Sequence, residues 1–181
     1  MSNSLSKLTA AIGLLAALAA PQAQAAIGDS LFAAGGNIVI RFEGSDAGFD
    51  SLISVNNSAF FFPNHATAPG TTFDLGPFAA GTPLDIVLQV IQTGNLFHTG
   101  PGAGNPDGFA HAAITYNFGQ PGRTGVGFED MFGGGDMDYN DHNFSFTNIQ
   151  AAIPEPSTYA LMFGGLGAIG FLARRRKATQ A

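Results

Sequence analysis

Short apolar segments separated by frequent chain breaks are the feature that most constrains the fold of this chain. Between residues 27 and 153 no segment keeps a helical period, whereas turn signals such as Pro101-Gly102 and Asn105–Gly108 recur at short intervals. Gly, Pro and Asn in such positions end regular structure and favour turns. Short strands with this punctuation are typical of all-β domains. The pattern therefore predicts an all-β fold, a β-sandwich or jelly-roll-like single domain.

Seven segments are candidate strands because they are short, apolar and bounded by turn residues. The last of them alternates polar and apolar residues over Asn143–Thr147, as a half-buried strand does. Phe is abundant in the chain, so Phe side chains are expected to supply much of the core. The candidate strands are Asn37–Glu43, Ser51–Val55, Ser58–Phe62, Leu84–Gln92, Ala110–Phe118, Thr124–Glu129 and Asn143–Ile149.

The N-terminus predicts export. Lys7 precedes an apolar run over residues 8–20, and Ala23 and Ala25 supply the small residues of a cleavage site. This order predicts a secretory signal peptide over residues 1–25, cut after Ala25. The chain has no cysteine, so the exported domain must be held by its core or by bound metal rather than by disulfides.

The C-terminus combines a polar motif, an apolar segment and a basic cluster. Pro154, Glu155 and Pro156 precede the uncharged run Tyr159–Ala173, which we predict to be a single transmembrane helix. As a helix it would be about 22 Å long, shorter than the ~30 Å hydrocarbon core, so we expect a transient membrane attachment. The basic cluster is predicted to act as a stop-transfer signal and comprises Arg174, Arg175, Arg176 and Lys177.

The segment over residues 153–177 resembles the PEP-CTERM sorting signal. The resemblance implies recognition by an exosortase, a membrane sorting enzyme of Gram-negative bacteria that make extracellular polysaccharide. It implies an exported protein of the cell envelope, with the cell surface or the extracellular matrix as its destination. The β-domain between the two signals is predicted to span residues 26–152.

The domain between the two signals is strongly acidic. Between residues 27 and 153, Arg41 and Arg123 are the only Lys or Arg residues, and twelve Asp and Glu residues bring the formal charge to −10. Such a charge excludes nucleic-acid binding through phosphate contacts. It favours attraction to hard cations or cationic surfaces.

The acidic charge is concentrated between Glu129 and Asp141, where five carboxylates occur without a Lys or Arg. Asp136, Asp138 and Asn140 present oxygens at the i, i+2, i+4 spacing of many calcium loops, although the flanking strands and the later loop positions differ from an EF-hand. Crowded carboxylates are costly unless a cation neutralises them, and ligands that are all oxygens favour Ca²⁺ over zinc or copper. The predicted ligands are Glu129, Asp130, Asp136, Asp138, Asn140 and Asp141.

The segment from Gly127 to Phe144 resembles the signature of an uncharacterised β-rich domain family of exported bacterial proteins. It reads Gly-Phe-Glu-Asp, then Gly-Gly-Asp-x-Asp-Tyr-Asn-Asp, then Phe. The resemblance covers residues 83–146 and implies a calcium-associated β-sandwich-like domain without established catalytic activity. His142 and Asn143 depart from the expected pattern, because apolar residues are expected at the start of the closing strand.

Zinc binding and glycoside hydrolysis are two other chemistries that these polar residues could support. The four histidines lack a short metal-binding spacing, so zinc is not expected, and His111 is expected to be a hydrogen-bonded imidazolium near the acidic loop. A glycoside hydrolase would use Glu129 with Asp138 or Asp141, but acids crowded in a Gly-rich polar loop suit a cation better. The prediction is therefore a non-catalytic, calcium-stabilised surface or extracellular-matrix protein. The alternative is a polysaccharide-binding or polysaccharide-hydrolysing protein of the exopolysaccharide matrix.

Overall fold

The computed structural model describes residues 25–151, 162–166 and 169. Regular structure within residues 25–151 consists of β-strands and one short 3-10 turn at Gly102–Gly104. The strands are β1 (Ala25–Ile27), β2 (Leu31–Ala33), β3 (Gly36–Gly44), β4 (Ser51–Val55), β5 (Thr72–Phe78), β6 (Pro83–Leu84), β7 (Ile86–Val90), β8 (Leu96–His98), β9 (Ala112–Tyr116), β10 (Arg123–Phe128), β11 (His142–Thr147) and β12 (Ile149–Ala151).

The strands form three antiparallel sheets around one core. A six-stranded sheet has the order β1-β9-β10-β11-β3-β5, and two three-stranded sheets have the orders β12-β2-β6 and β4-β7-β8. Buried side chains from all three sheets belong to a single hydrophobic cluster. The predicted all-β, single-domain fold is therefore confirmed.

Phe side chains occupy much of this core, as the sequence predicts. In β3 the side chains of Ile38, Ile40 and Phe42 are buried while the residues between them are half-buried, because successive side chains of a strand point to opposite faces. Full burial of one such side chain contributes about 1.5–3 kcal/mol. The largest completely buried aromatic residues are Phe42, Phe97, Phe128, Phe144 and Phe146.

Two differences from the predicted strands have local causes. Ser58–Phe62 is not a strand, and only Phe61 makes an isolated bridge to Ile53. Phe62 has a φ of 54°, which breaks the extended conformation that the apolar composition favours. Strand β5 was missed because it is an exposed edge strand that contains Pro77, a residue tolerated in sheets mainly at edges.

Most of the predicted targeting signals lie outside the described residues. This holds for residues 1–24, including Ala23, for the Pro154–Pro156 motif and for the basic cluster at residues 174–177. Ala25, the predicted last residue of the signal peptide, is the first residue of β1. Of the predicted spanning segment, residues 162–166 and 169 are described and helical. No helix within the described ranges is both long and apolar enough to cross a bilayer.

Three neighbouring strands of the six-stranded sheet position the acidic loop. Strands β10 and β11 pair with Phe128 opposite His142, so residues 129–141 form the loop of a hairpin. Strand β9 pairs with the other side of β10 and brings His111 beside Glu129, whose amide donates to the His111 carbonyl oxygen at 2.9 Å. The acidic loop and the residues before β9 therefore lie at the same end of the sheet.

Candidate metal centre

The acidic loop, residues 129–141, folds back over the sheet through tight turns. The amide of Met137 donates to the carbonyl oxygen of Gly134 at 3.0 Å. Gly127 in β10 provides room for the returning chain, because a Cβ atom there would lie only 2.1 Å from the carbonyl oxygen of Tyr139. Met137 and Tyr139 have φ values of 63° and 55°, a left-handed conformation that is costly for residues other than glycine. The loop is thus held in a conformation that needs support from outside its own backbone.

Three carboxylates of the loop converge. Glu129, Asp136 and Asp138 each offer an oxygen atom, and these atoms lie within 4.8 Å of one another. Glu129 is completely buried, whereas the two Asp residues are exposed. Gly135 borders Glu129 closely, since a Cβ atom there would lie 2.8 Å from Oε2. A convergent set of oxygens is the beginning of a site for a hard cation, which takes ligands at about 2.3–2.6 Å when the ion is Ca²⁺.

One oxygen of Glu129 lacks a partner. Its Oε1 accepts a hydrogen bond from the Tyr139 amide at 2.5 Å, but its Oε2 is buried without a hydrogen-bond partner in the described part of the chain. A buried, unsatisfied polar atom costs about 1–3 kcal/mol, and more when it is charged. Burial raises the pKa of Glu129; the Tyr139 amide opposes this rise and neighbouring Asp carboxylates add to it. Glu129 is therefore poised to accept a proton or a cation.

Asp130 and Asp141 form a second acidic pair beside this cluster. The Asp130 amide donates to Oδ2 of Asp141 at 2.9 Å, and the Asp130 side chain is buried with its Oδ2 unpartnered among the described residues. Burial, together with the Asp141 carboxylate, raises the pKa of Asp130 to about 7. Burial also raises the pKa of Asp141. The pair lines a cavity of about 410 Å³ together with Glu129 and Asp136.

The structure thus brings together three of the six predicted ligands. Asp130 and Asp141 lie outside the converging group, and Asn140 donates from its side-chain amide to Oδ2 of Asp138 at 2.5 Å. Asn140 therefore orients Asp138 within the described loop. Asp136 and Asp138, which the spacing predicts to act together, both belong to this group, and Glu129 joins them from the end of β10.

A buried ion pair fastens the acidic loop to the turn before β9. His111 is completely buried, and its Nδ1 donates to the carbonyl oxygen of Glu129 at 2.9 Å while its Nε2 donates to Asp107 at 2.8 Å. Because both partners are acceptors, both ring nitrogens carry hydrogen and the ring is an imidazolium. The ring stacks on Phe97 with a centroid distance of 3.6 Å, a favourable arrangement for a cation. The expected contact between His111 and the acidic loop is confirmed.

Asp107 is the part of this arrangement that the sequence prediction missed. Its carboxylate accepts from the amides of Gly133 at 2.7 Å and Phe109 at 3.0 Å, in addition to His111. Burial raises the pKa of Asp107, but these three donors outweigh it and hold the pKa at about 2. The Asn-Pro-Asp-Gly turn was the available signal, since Asp in such a turn binds backbone amides. Its bond to Gly133, 26 residues away, is not encoded in the turn.

The four histidines have separate partners in the described structure. Each contacts a different residue, which is incompatible with a common zinc site in this conformation. The partners are Asp50 for His65, Asp85 for His98, Asp107 for His111 and Ser51 for His142.

The comparisons with known proteins give a match at the C-terminus of the chain. A protein-family profile of the PEP-CTERM protein-sorting motif matches residues 152–177. The chain carries a PEP-CTERM sorting motif. This motif implies an exported, envelope-sorted bacterial protein that an exosortase-type membrane enzyme recognises. Neither the curated proteins nor the solved structures gave a significant match to this chain.

Proposed function

We propose that this PEP-CTERM protein is a non-catalytic component of the cell surface or extracellular matrix whose β-domain is stabilised by calcium. The observation that carries the proposal is that Glu129, whose buried Oε2 has no hydrogen-bond partner among the described residues, offers a carboxylate oxygen within 4.8 Å of oxygens of Asp136 and Asp138. A divalent cation would give this oxygen a partner and offset the repulsion among the carboxylates. The available ligands are oxygens, which suit Ca²⁺.

Calcium would stabilise the domain by joining the two sides of the acidic loop. Glu129 follows β10 directly, whereas Asp136 and Asp138 lie on the returning part of the loop. An ion that binds the folded chain alone raises the free energy of unfolding by RT ln(1 + [L]/Kd), about 2.7 kcal/mol at a hundredfold excess over Kd. An exported protein would meet calcium concentrations suited to weak extracellular sites, whose Kd is about 10⁻⁴–10⁻³ M.

Thermal unfolding of the exported chain, with Ca²⁺ and with a chelator, tests this proposal. We expect Ca²⁺ at a hundredfold excess over Kd to raise the melting temperature by roughly 10 °C, since 1 kcal/mol shifts the melting temperature of a domain of this size by about 4 °C. Asp138→Asn should lose most of that rise. Asp46→Asn, which removes one charge outside the acidic loop, is the matched control and should keep it. Equal melting temperatures with Ca²⁺ and chelator in the unaltered chain would contradict the proposal.

The burial of Glu129 supports the non-catalytic part of the proposal. A general acid must reach the glycosidic oxygen of a bound substrate. Glu129 is 0% exposed, and Oε1 is held by the Tyr139 amide. A release of reducing ends from the host's polysaccharide by the purified chain would overturn this assignment.

Polysaccharide binding is the second candidate function, and the two arginines favour it. Arg41 and Arg123, the only Lys or Arg residues between 27 and 153, line one cavity of about 390 Å³ together with Phe118. Phe118 also lines an adjoining groove of about 670 Å³ that extends to Asp138. Arg41 is paired with Glu43, which also lines the cavity, at 2.6 Å, so Arg123 is the guanidinium group that would bind the carboxylates of an acidic polysaccharide.

Retention on an immobilised acidic polysaccharide tests the second candidate. The unaltered chain should be retained, and Arg123→Gln should weaken retention, since it removes one of the two cations from the cavity. Gln120→Ala, which alters the same cavity without changing its charge, should have a smaller effect. If Arg123→Gln left retention unchanged, the arginines would not be the residues that recognise the polysaccharide.

A further inference from the structure

The acidic loop holds more negative charge than one divalent ion can neutralise. Five carboxylates lie between Glu129 and Asp141, and three of them form the converging group described above. One Ca²⁺ bound by Glu129, Asp136 and Asp138 would not neutralise the Asp130 and Asp141 carboxylates, which would still repel each other. Like charges held close together in a buried setting remain costly unless a proton or a cation joins them.

The Asp130–Asp141 pair has the features of a separate cation site. Asp130 is 2% exposed, and its Oδ2 has no hydrogen-bond partner among the described residues. Oδ2 of Asp141 accepts a hydrogen bond from the backbone amide of Asp130, which holds the Asp141 side chain against the Asp130 backbone. Both residues border the same cavity, and within the described chain no Lys or Arg lines it. The observation that points to a bound cation is that Asp130 borders this acidic cavity and carries a buried oxygen without a hydrogen-bond partner among the described residues.

The cavity is large enough for a second ion. Its volume of about 410 Å³ greatly exceeds the ~30 Å³ that one water molecule occupies in the liquid, so an ion and its water ligands fit. Glu129 and Asp136 line the cavity as well as belonging to the converging group, so the two positions would be neighbours. We infer that the acidic loop binds two Ca²⁺ ions, the second at Asp130 and Asp141. This inference rests on the proposed calcium binding and extends it to the number of ions.

Counting the bound ions tests the inference. The exported chain, stripped with a chelator and dialysed, is titrated with Ca²⁺ alone, and the stoichiometry is measured by calorimetry and by native mass spectrometry. We expect two Ca²⁺ per unaltered chain and one in Asp130→Asn. Asp141→Asn is the second variant, and a cooperative melt of each variant ensures that a folded chain is counted. Asp46→Asn removes an acid outside the cavity and should retain two ions.

The possible outcomes separate the two proposals. One ion in the unaltered chain, with one ion still bound by the folded Asp130→Asn and Asp141→Asn variants, would overturn the second site and leave the proposed function standing. Loss of every ion in folded Asp130→Asn would show a single shared site and would also overturn the inference. Zero ions in the unaltered chain would overturn the proposed calcium binding itself. Two ions that fall to one in both variants would support the inference.

Discussion

Two histidines of this protein are equally buried and yet differ in charge. His111 and His142 are both 0% exposed, and both contact Phe rings. His111 donates from both ring nitrogens, to the Glu129 carbonyl oxygen and to Asp107, and is an imidazolium. His142 contacts Ser51 Oγ through Nδ1 at 2.8 Å, whereas its Nε2 has no partner in the described residues. Burial lowers the pKa of His142 to about 3, so this ring is neutral.

The difference shows that burial alone does not decide the charge of a residue. Removal from water disfavours the charged form of both rings. The two rings differ in their partners: both nitrogens of His111 face acceptors, whereas among the described residues only Nδ1 of His142 has a partner. The two histidines accordingly have different structural roles. His111 connects the acidic loop to the neighbouring turn through its hydrogen bonds. His142 packs as an aromatic core residue, with its ring centroid 4.4 Å from that of Phe144. Three predictions test this comparison.

The largest expected effect comes from removing the counter-charge of His111. Asp107→Asn keeps the shape of the side chain but leaves a buried imidazolium without a carboxylate. Breaking a buried ion pair by removing one partner typically costs about 3–5 kcal/mol. We expect a loss of that size in the free energy of unfolding, measured by urea denaturation at neutral pH.

The exposed pair of His98 and Asp85 provides the matched control. Its side chains are 34% and 50% exposed, whereas those of His111 and Asp107 are 0% and 3% exposed. Asp85→Asn should cost less than about 1 kcal/mol, because exposed ion pairs contribute little. Similar losses for Asp107→Asn and Asp85→Asn would contradict the importance of burial in this comparison.

A smaller effect is expected at the neutral histidine. Ser51→Ala removes the partner of His142 Nδ1 and leaves a second buried nitrogen unsatisfied, which costs about 1–3 kcal/mol. The double variant Ser51→Ala/His142→Phe removes both polar partners and should recover most of the loss, since replacing both partners by apolar groups is close to neutral. Urea denaturation of the three proteins measures both steps. If the double variant were less stable than Ser51→Ala, His142 would have a role that its neutral, packed state does not explain.

The smallest effect concerns the pH dependence of the Asp107 pair. The pKa of Asp107 is lowered to about 2 in the folded protein, below the ordinary value of about 3.8. Its contribution to the free energy of unfolding is therefore complete above about pH 5 and is lost progressively as the pH falls through about 2. The difference in unfolding free energy between the unaltered chain and Asp107→Asn should therefore narrow by about 1 kcal/mol between pH 5 and pH 3. A difference in unfolding free energy that widens as the pH falls would contradict this prediction.

Much of the fold could be predicted from local patterns. Most predicted strands were found because alternation and turn residues act over a few neighbouring positions, as in β3 and β11. Ser58–Phe62 shows the limit of such reasoning, since its composition favours a strand while Asn56 and Asn57 adopt positive φ values just before it. The polar start of β11 is a second example. His142 is accommodated in the core through Ser51, a partner 91 residues away.

The candidate site was predicted in composition but not in geometry. All six predicted ligands lie in the acidic loop or at its ends, yet only Glu129, Asp136 and Asp138 converge. The sequence could not separate them from Asp130 and Asp141, because all five carboxylates have similar chemistry. Their separation follows from the pairing of Phe128 with His142 and from the left-handed residues of the loop.

The sequence by itself determined the all-β class, the acidic charge of the domain, the concentration of carboxylates in one loop and the PEP-CTERM motif at residues 152–177. Each of these follows from residue types and short spacings. Only the tertiary structure decided which carboxylates meet, which oxygens are left without partners and which buried histidine is charged. Those properties depend on distances between residues far apart in the chain and on the removal of water, and both arise only when the sheets pack around their common core.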